Sequence, residues 1–297
     1  MKMSISQLII FLFLIGFSIS LRGQTVQGTS NAITISVGQK PIEVSHADEA
    51  AITLASMGIS KLPKYYALIV AVSEYANSGP GLPNLEMPTK DAERIYSVLT
   101  DHYAFDPQDV IILKNPTREE IINQFERLTR SVNEKENLLI FYAGHGYYDK
   151  ARDFGYWLPS DAKLSSPSAW ISNSTIKDYI GAIKSKHTLL ITDACFGGSI
   201  FKTRSITTEI LRFNEAYKNS SRKALTSGNL NEVPDKSVFL KFLIKSLEEN
   251  TKVFLSSSEL FARIYEPIMN NATSTPQFGV VQGAGDEGGD FIFIKKD

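Results

Sequence analysis

The sequence predicts an α/β fold, a three-layer α/β/α sandwich around a mostly parallel six-stranded sheet. Short, continuous apolar runs bounded by turn residues alternate with helix-length segments that carry apolar residues at i, i+3 and i+4 spacing. Such runs are typical of strands that are covered on both faces. Strands that alternate with helices favour a parallel sheet with helices on both sides.

Six runs are predicted as strands because they are short, apolar and rich in β-branched or aromatic residues. They are Ala67–Val72, Val110–Leu113, Leu138–Tyr142, Thr188–Thr192, Val253–Ser256 and Phe291–Ile294. A further short strand is predicted at Lys223–Thr226. The amphipathic spacing predicts five helices, which are Lys90–His102, Arg118–Arg130, Thr175–Lys184, Ser237–Glu249 and Glu259–Met269.

Composition excludes several classes of protein. The 297 residues are 43% apolar and 21% charged, which is the composition of a globular protein. A formal net charge of −1 provides no basic surface for nucleic acid or for an acidic membrane, so neither is expected as a partner. The single cysteine, Cys195, excludes an intrachain disulfide and a zinc site built on several thiolates.

The N-terminus predicts export. Lys2 precedes an uncharged apolar run at residues 8–20, and a short polar stretch follows at residues 21–24. We interpret residues 1–24 as a signal peptide, because the apolar run is shorter than the roughly 20 residues that a membrane-spanning helix needs. An uncleaved anchor is the alternative. The mature protein is expected in the periplasm or outside the cell, with no stable membrane insertion.

The rest of the chain divides near residue 63. Residues 25–63 are predicted as a pre-domain segment or linker, with a short strand in the stretch rich in Thr, Ser and Gly. Residues 64–297 are predicted as one domain, since the alternation of strands and helices begins there.

Two glycine-flanked motifs follow predicted strands. The strand Leu138–Tyr142 leads into AGHG, which contains His145, and the strand Thr188–Thr192 leads into DACFGG, which contains Cys195. Reactive groups of open α/β sheets lie just past the carboxyl ends of strands. A thiolate, an imidazole and two backbone N–H groups are sufficient for acyl transfer. The motifs therefore predict a His-Cys dyad.

The segments LLIFYAGHG and LLITDACFGG resemble the histidine and cysteine boxes of caspase-like cysteine peptidases, which include caspases, metacaspases and paracaspases. The resemblance extends from about Tyr65 to the C-terminus. It implies a caspase-like fold and a cysteine endopeptidase with His145 as general base and acid and Cys195 as nucleophile. The backbone N–H groups of Gly146 and Cys195 would form the oxyanion hole. The sequence identifies no third catalytic residue.

The residue two positions before the cysteine bears on specificity. Asp193 is similar to the acid that metacaspases and paracaspases carry there, and those enzymes cleave after Arg or Lys. Alternate residues of a strand end lie on the same side, so Asp193 is expected to face the cleft with Cys195. Asp91 matches a second metacaspase acid, or else complements the dipole of its helix. Glu86 is a weaker candidate for the same pocket.

Four questions stay open at the level of sequence. The polar stretch 199–222 contains basic residues that are candidate processing sites, namely Lys202, Arg204, Arg212, Lys218 and Arg222. The acidic, glycine-rich stretch 283–290 matches no EF-hand loop, and no cofactor is expected, although calcium activation is possible within the resembled family. The oligomeric state is undetermined. The alternative function is a catalytically inactive caspase-like scaffold that binds peptides or partner proteins.

Overall fold

The structure is a computed structural model. It describes residues 45–194, 200, 213–228 and 236–296, together with the backbone of four strands between residues 20 and 43. The chain forms two compact units, one of residues 1–62 with 295–297 and the other of residues 63–294. Among the helices that the structure describes, none is both long and apolar enough to cross a membrane.

The first unit contains a small antiparallel sheet and one helix. Its strands pair in chain order: β1 (Ser20–Leu21), β2 (Gln24–Thr29), β3 (Ala32–Val37) and β4 (Lys40–Glu43). Helix α1 (His46–Ser56) begins after Ser45, whose hydroxyl oxygen accepts a hydrogen bond from the backbone N–H of Asp48.

The second unit is built on the predicted six-stranded sheet. Its strands are β5 (Tyr65–Ala71), β6 (Val110–Lys114), β7 (Asn137–Ala143), β11 (His187–Asp193), β12 (Ser221–Thr226) and β14 (Gln277–Val280). They lie in the order β14-β12-β11-β7-β5-β6. Every neighbouring pair is parallel except β12 with β14. The prediction of a mostly parallel sheet is confirmed.

Two predicted strands form but lie outside this sheet. Strand β13 (Phe254–Ser256) pairs antiparallel with β15 (Ile292–Ile294) in a separate two-stranded sheet. The sixth place in the central sheet belongs instead to β14, which the sequence analysis did not identify. Strand β14 has the sequence QFGV, and a glycine and a glutamine in an edge strand interrupt the apolar run that marks a buried strand.

A third sheet follows the predicted histidine motif. It contains β8 (Gly146–Asp149), β9 (Phe154–Trp157) and β10 (Ile171–Ser172), all antiparallel, in the order β10-β9-β8. Strand β8 therefore lies at the edge of this small sheet and begins one residue after His145.

Helices cover both faces of the central sheet. They are α2 (Pro88–His102), α3 (Arg118–Ser131), α4 (Asn173–Ala182), α5 (Phe213–Lys218), α6 (Val238–Glu248) and α7 (Ser257–Met269). The five predicted helices agree with α2, α3, α4, α6 and α7 to within two residues at each end. Thr117 and Glu120 form a capping box at the start of α3, and Ser237 caps α6.

The alternation of strand side chains separates two cores. Leu68 and Val70 of β5 pack with Phe125 of α3 and Ile180 of α4 on one face. On the opposite face α2, α6 and α7 pack together over the intervening side chains, which include the buried Ile69. The three-layer α/β/α arrangement is confirmed.

The buried carboxylate of Asp290 joins the segment before the last strand, β15, to the start of helix α7. Asp290 is 1% exposed, and its oxygens accept hydrogen bonds from the Ser257 hydroxyl, from the backbone N–H of Ser258 at 3.1 Å and from that of Phe291 at 2.8 Å. The first two donors belong to the start of α7, where backbone N–H groups lack partners within the helix.

We expect Asp290→Ala to lower the free energy of unfolding by about 2–4 kcal/mol, because it leaves these buried donors without an acceptor. Asp290→Asn keeps one acceptor oxygen and should cost less. Urea denaturation of each variant measures both effects, with Glu266→Ala on the exposed face of α7 as the control. An equal, small effect of Asp290→Ala and Glu266→Ala would contradict this role.

Candidate active site

The turn after β7 requires glycine. Gly144 has a φ of +152°, a conformation that residues with a side chain rarely adopt. A Cβ at this position would lie 3.1 Å from Oη of Tyr75, 3.2 Å from Oη of Tyr142 and 3.2 Å from Cβ of Val72. The two tyrosine hydroxyls therefore occupy the space that a larger residue would need.

The same two hydroxyls hold the backbone of His145. Its N–H donates to Oη of Tyr75 at 2.7 Å, and its carbonyl accepts from Oη of Tyr142 at 2.6 Å. The backbone N–H of Leu158 donates to the same carbonyl at 3.1 Å. The backbone of His145 is thus held at both its N–H and its C=O, independently of the contacts of its imidazole.

The imidazole is oriented by a backbone carbonyl. Nε2 of His145 lies 2.8 Å from the carbonyl oxygen of Pro83, and the ring packs against Tyr75 with centroids 5.1 Å apart. A carbonyl only accepts hydrogen bonds, so Nε2 carries the proton. In the neutral imidazole the lone pair is then on Nδ1. The sequence identified no third residue, and in the structure the group that orients this ring is the backbone carbonyl of Pro83.

Two hydrogen bonds hold the loop that contains Pro83. The backbone N–H of Tyr75 donates to Oδ1 of Asn84 at 2.9 Å, and that of Leu85 donates to the carbonyl of Ser73 at 2.8 Å. The two residues that follow Pro83 therefore tie the loop to the segment after β5. A carbonyl contact of this kind leaves no mark on residue type, which is why sequence reasoning missed it.

The register of β7 with β11 brings the two motifs to one edge. Ala143, the last residue of β7, is the partner of Asp193, the last residue of β11. His145 follows Ala143 by two residues, as Cys195 follows Asp193 by two. Cys195 itself lies outside the described residues, which end at Ala194 and resume at Ile200.

The two predicted acids lie close enough to interact. Asp193 at the end of β11 and Asp91 in the first turn of α2 are both 5% exposed. Burial and, to a smaller extent, the negative charge of Asp91 raise the pKa of Asp193 from 3.8 to about 6, although the nearby hydroxyls of Ser237 and Ser227 oppose the shift. Within the described part of the chain, Oδ1 of Asp193 has no hydrogen-bond partner.

A buried pair of acids can bind a cation strongly. A guanidinium or ammonium beside Asp193 would favour its ionised form and supply the missing hydrogen bonds. Glu86, the weaker candidate, is an exposed residue of the loop before α2.

The backbone N–H of Gly146 points away from its neighbouring strand. The bond from Leu158 to the carbonyl of His145 makes those two residues a hydrogen-bonded antiparallel pair. Hydrogen-bonded and non-bonded pairs alternate, so Gly146 and its partner Trp157 form a non-bonded pair. The N–H of Gly146 is therefore directed to the edge of β8 that has no partner strand among the described residues.

Carboxylates of the acidic stretch 283–290 accept hydrogen bonds from other groups of the protein. Asp286 accepts from the backbone N–H of Arg222 at 2.7 Å and of Gly288 at 3.0 Å, and Glu287 accepts from that of Ser220 at 3.2 Å. Among the described residues, no three or more His, Cys, Asp or Glu side chains are grouped so as to hold a metal ion. Calcium activation stays a prediction.

One candidate processing site lies in the central sheet. Arg222 is a buried residue of β12, and its guanidinium donates to the carbonyls of Ser221 at 2.7 Å and Ser185 at 2.9 Å. Cleavage there would cut a core strand, so we exclude Arg222 from the candidates. Lys218 ends α5, whereas Lys202, Arg204 and Arg212 lie outside the described residues.

We expect Gly144→Ala to lower the free energy of unfolding by about 2–3 kcal/mol, because its Cβ displaces the two tyrosine hydroxyls and its φ is strained. Chemical denaturation measures the loss. Gly79→Ala is the matched control, since nothing lies within 4 Å of its Cβ position and its φ is unexceptional. Equal stability of the two variants would refute the steric argument.

Comparisons with known proteins agree with this architecture. A family model described as the caspase domain matches residues 64–277. No curated protein matches the chain. The crystal structure of protein GSU0716 from Geobacter sulfurreducens is similar in fold at 14% sequence identity and a TM-score of 0.50, covering 73% of this chain and 93% of that one. Because the family model spans most of its length, the chain belongs to the caspase-domain family of cysteine peptidases.

Proposed function

We propose that this protein is a cysteine endopeptidase that hydrolyses peptide bonds after Arg or Lys, with Cys195 as nucleophile and His145 as general base and acid. Membership of the caspase-domain family supports the cysteine-peptidase class. The observation that carries the proposal is the placement of the His145 imidazole. Its Nε2 is hydrogen-bonded to the carbonyl of Pro83. The strand before it, β7, ends at Ala143, whose partner Asp193 lies two residues before Cys195.

In the proposed mechanism Nδ1 of His145 takes the thiol proton of Cys195. The thiolate then attacks the carbonyl carbon of the scissile bond, forming a carbon–sulfur bond and placing the electron pair on oxygen. The N–H groups of Gly146 and Cys195 stabilise this oxyanion. Throughout, the proton on Nε2 stays hydrogen-bonded to Pro83, whose carbonyl dipole stabilises the imidazolium.

The oxyanion then collapses and the carbon–nitrogen bond breaks. Nδ1–H of His145 delivers its proton to the departing amine, which leaves a thioester on Cys195. Water attacks the thioester with Nδ1 as base, and the acid is released with the thiol restored. The steps require no metal or cofactor.

The acidic pair supports the proposed preference for basic residues. The substrate side chain that precedes the scissile bond would enter between Asp193 and Asp91, where an arginine pairs with a carboxylate through two hydrogen bonds. An aspartate there would add a third negative charge to a poorly solvated site, and Coulomb repulsion would exclude it.

Export is part of the proposal, on the basis of the N-terminal sequence pattern. Recovery of the protein outside the cytoplasm with an N-terminus near residue 25 would support export. An intact N-terminus in the cytoplasm would contradict it.

We expect the mature chain to cleave fluorogenic peptides that end in Arg or Lys and to leave those that end in Asp uncut. Cys195→Ala should lower kcat/KM to background, because the nucleophile is gone. Parallel assays with and without calcium test the activation that the resemblance to the family leaves open.

Two outcomes would contradict this proposal differently. Cleavage after Asp would overturn the role of the acidic pair but retain the enzyme. No turnover, together with a Cys195 thiol that reacts with iodoacetamide no faster in the folded than in the denatured chain, would favour the inactive scaffold.

We expect Asp193→Asn to raise stability at neutral pH while lowering activity. The pKa of Asp193 is about 6 in the folded chain, which is above its ordinary value of 3.8. Asp193 therefore adds to the free energy of unfolding below pH 3.8, and this contribution is lost as the pH rises through 6. The difference corresponds to up to about 3 kcal/mol. The variant should therefore gain about 1–3 kcal/mol of unfolding free energy at pH 7.5 and little at pH 4.

The same variant should lose about 30- to 100-fold in kcat/KM for peptides ending in Arg, since a charge-assisted hydrogen bond is removed. Asp101→Asn, at an exposed position of α2, is the control for both measurements. Destabilisation of equal size at both pH values would show that Asp193 has a structural role instead.

A further inference from the structure

The edge strand β8 begins at the proposed oxyanion site. Within the described part of the chain it pairs with β9 on one side only. Gly146 and Tyr148 both belong to non-bonded pairs with β9, so the N–H and C=O groups of both residues point to the free edge. An extended polypeptide can add to such an edge as a further strand.

The proposed chemistry decides which part of a substrate reaches this edge. The side chain of the residue before the scissile bond, called P1, would enter the acidic pair, which lies on the β11 side of His145. The departing amine must lie next to Nδ1 of His145 in order to receive its proton. The residues that follow the scissile bond, called P1′, P2′ and P3′, therefore leave on the β8 side.

We propose that these following residues pair with β8 as a parallel strand and that P2′ is selected for an aromatic or large apolar side chain. The inference rests on the proposed function and specifies its substrate class. The peptide runs parallel to β8 because both chains lead away from His145.

The oxyanion contact sets the register of this pairing. In a parallel ladder every second residue of a strand donates to the residue before its partner and accepts from the residue after it. If the N–H of Gly146 donates to the P1 carbonyl oxygen, P1′ is its partner and the C=O of Gly146 accepts from the P2′ N–H. The N–H of Tyr148 then donates to the P2′ carbonyl.

This register places P2′ beside Tyr147, with both side chains on the same face of the sheet. Tyr147 is 41% exposed, and its ring centroid lies 4.7 Å from that of Trp170 and 6.4 Å from that of Tyr156. Trp170 is held by a hydrogen bond from Nε1 to the carbonyl of Lys163 at 3.0 Å. The three rings form an anchored aromatic surface against which a P2′ ring can pack.

The opposite face of the small sheet is occupied. Trp157, the partner of Gly146, is fully buried, and Tyr148 packs against the main core. P1′ and P3′ would lie on that side, so they have no comparable aromatic surface. The selectivity is therefore expected at P2′ alone.

Internally quenched peptides with Arg at P1 and a last residue at P3′ test the side-chain contact. The wild-type protein should cleave the peptide with Trp at P2′ with a kcat/KM about five- to tenfold above that for Gly at P2′. Tyr147→Ala should bring this ratio close to 1. Met269→Ala removes an equally exposed apolar side chain at the end of α7, outside this small sheet, and should preserve the ratio.

Backbone methylation tests the strand pairing. Methylation of the P2′ amide nitrogen removes the proposed donor to Gly146 and should lower kcat/KM by about tenfold or more. Methylation of the P3′ nitrogen should have little effect, because that N–H points away from β8 in the proposed register.

The failures are distinguishable. Cleavage after Arg at the same rate for Trp and Gly at P2′, or equal sensitivity to the two methylations, would overturn this inference and leave the proposed function standing. Cleavage of none of the peptides would overturn the proposed function and this inference with it.

Discussion

The parallel pairing of β7 with β11 is the constraint on which the site depends. It aligns Ala143 with Asp193, so the histidine and cysteine motifs leave the sheet from adjacent positions on the same edge. Both strands are buried along their whole length, and the close packing of their side chains on each face holds this register. The strand ends from which the two motifs leave are thus placed by the most buried part of the second unit.

Near this edge of the sheet the protein buries polar groups at a cost in folding free energy. Asp193 and Asp91 are buried near each other, and burial together with the charge of Asp91 raises the pKa of Asp193. The buried Asp290, by contrast, accepts three hydrogen bonds from the α7 start and from Phe291. Asp290 thus joins structural elements, whereas Oδ1 of Asp193 has no hydrogen-bond partner among the described residues and is proposed to meet a ligand.

Sequence patterns were sufficient for the fold class, the five long helices and the two motifs, because apolar periodicity and glycine-flanked strand ends are local signals. They did not predict β14, whose short sequence is broken by Gly279, nor that β13 pairs with β15 outside the central sheet, because strand partners depend on the whole chain. The contact of Pro83 with His145 could not be predicted from the sequence either. Its role belongs to a backbone carbonyl, and only the three-dimensional path of the loop brings that oxygen to His145.

His145, Cys195 and the acidic pair of Asp193 and Asp91 are proposed to act as one site. A crystal structure of the protein after reaction with a peptidyl-arginine chloromethyl ketone tests this directly. We predict Sγ of Cys195 bonded to the inhibitor, its guanidinium against Asp193, its carbonyl oxygen about 2.7–3.1 Å from the nitrogen of Gly146, and Nε2 of His145 still on Pro83. An adduct on another residue, or a guanidinium turned away from Asp193 into solvent, would contradict the account.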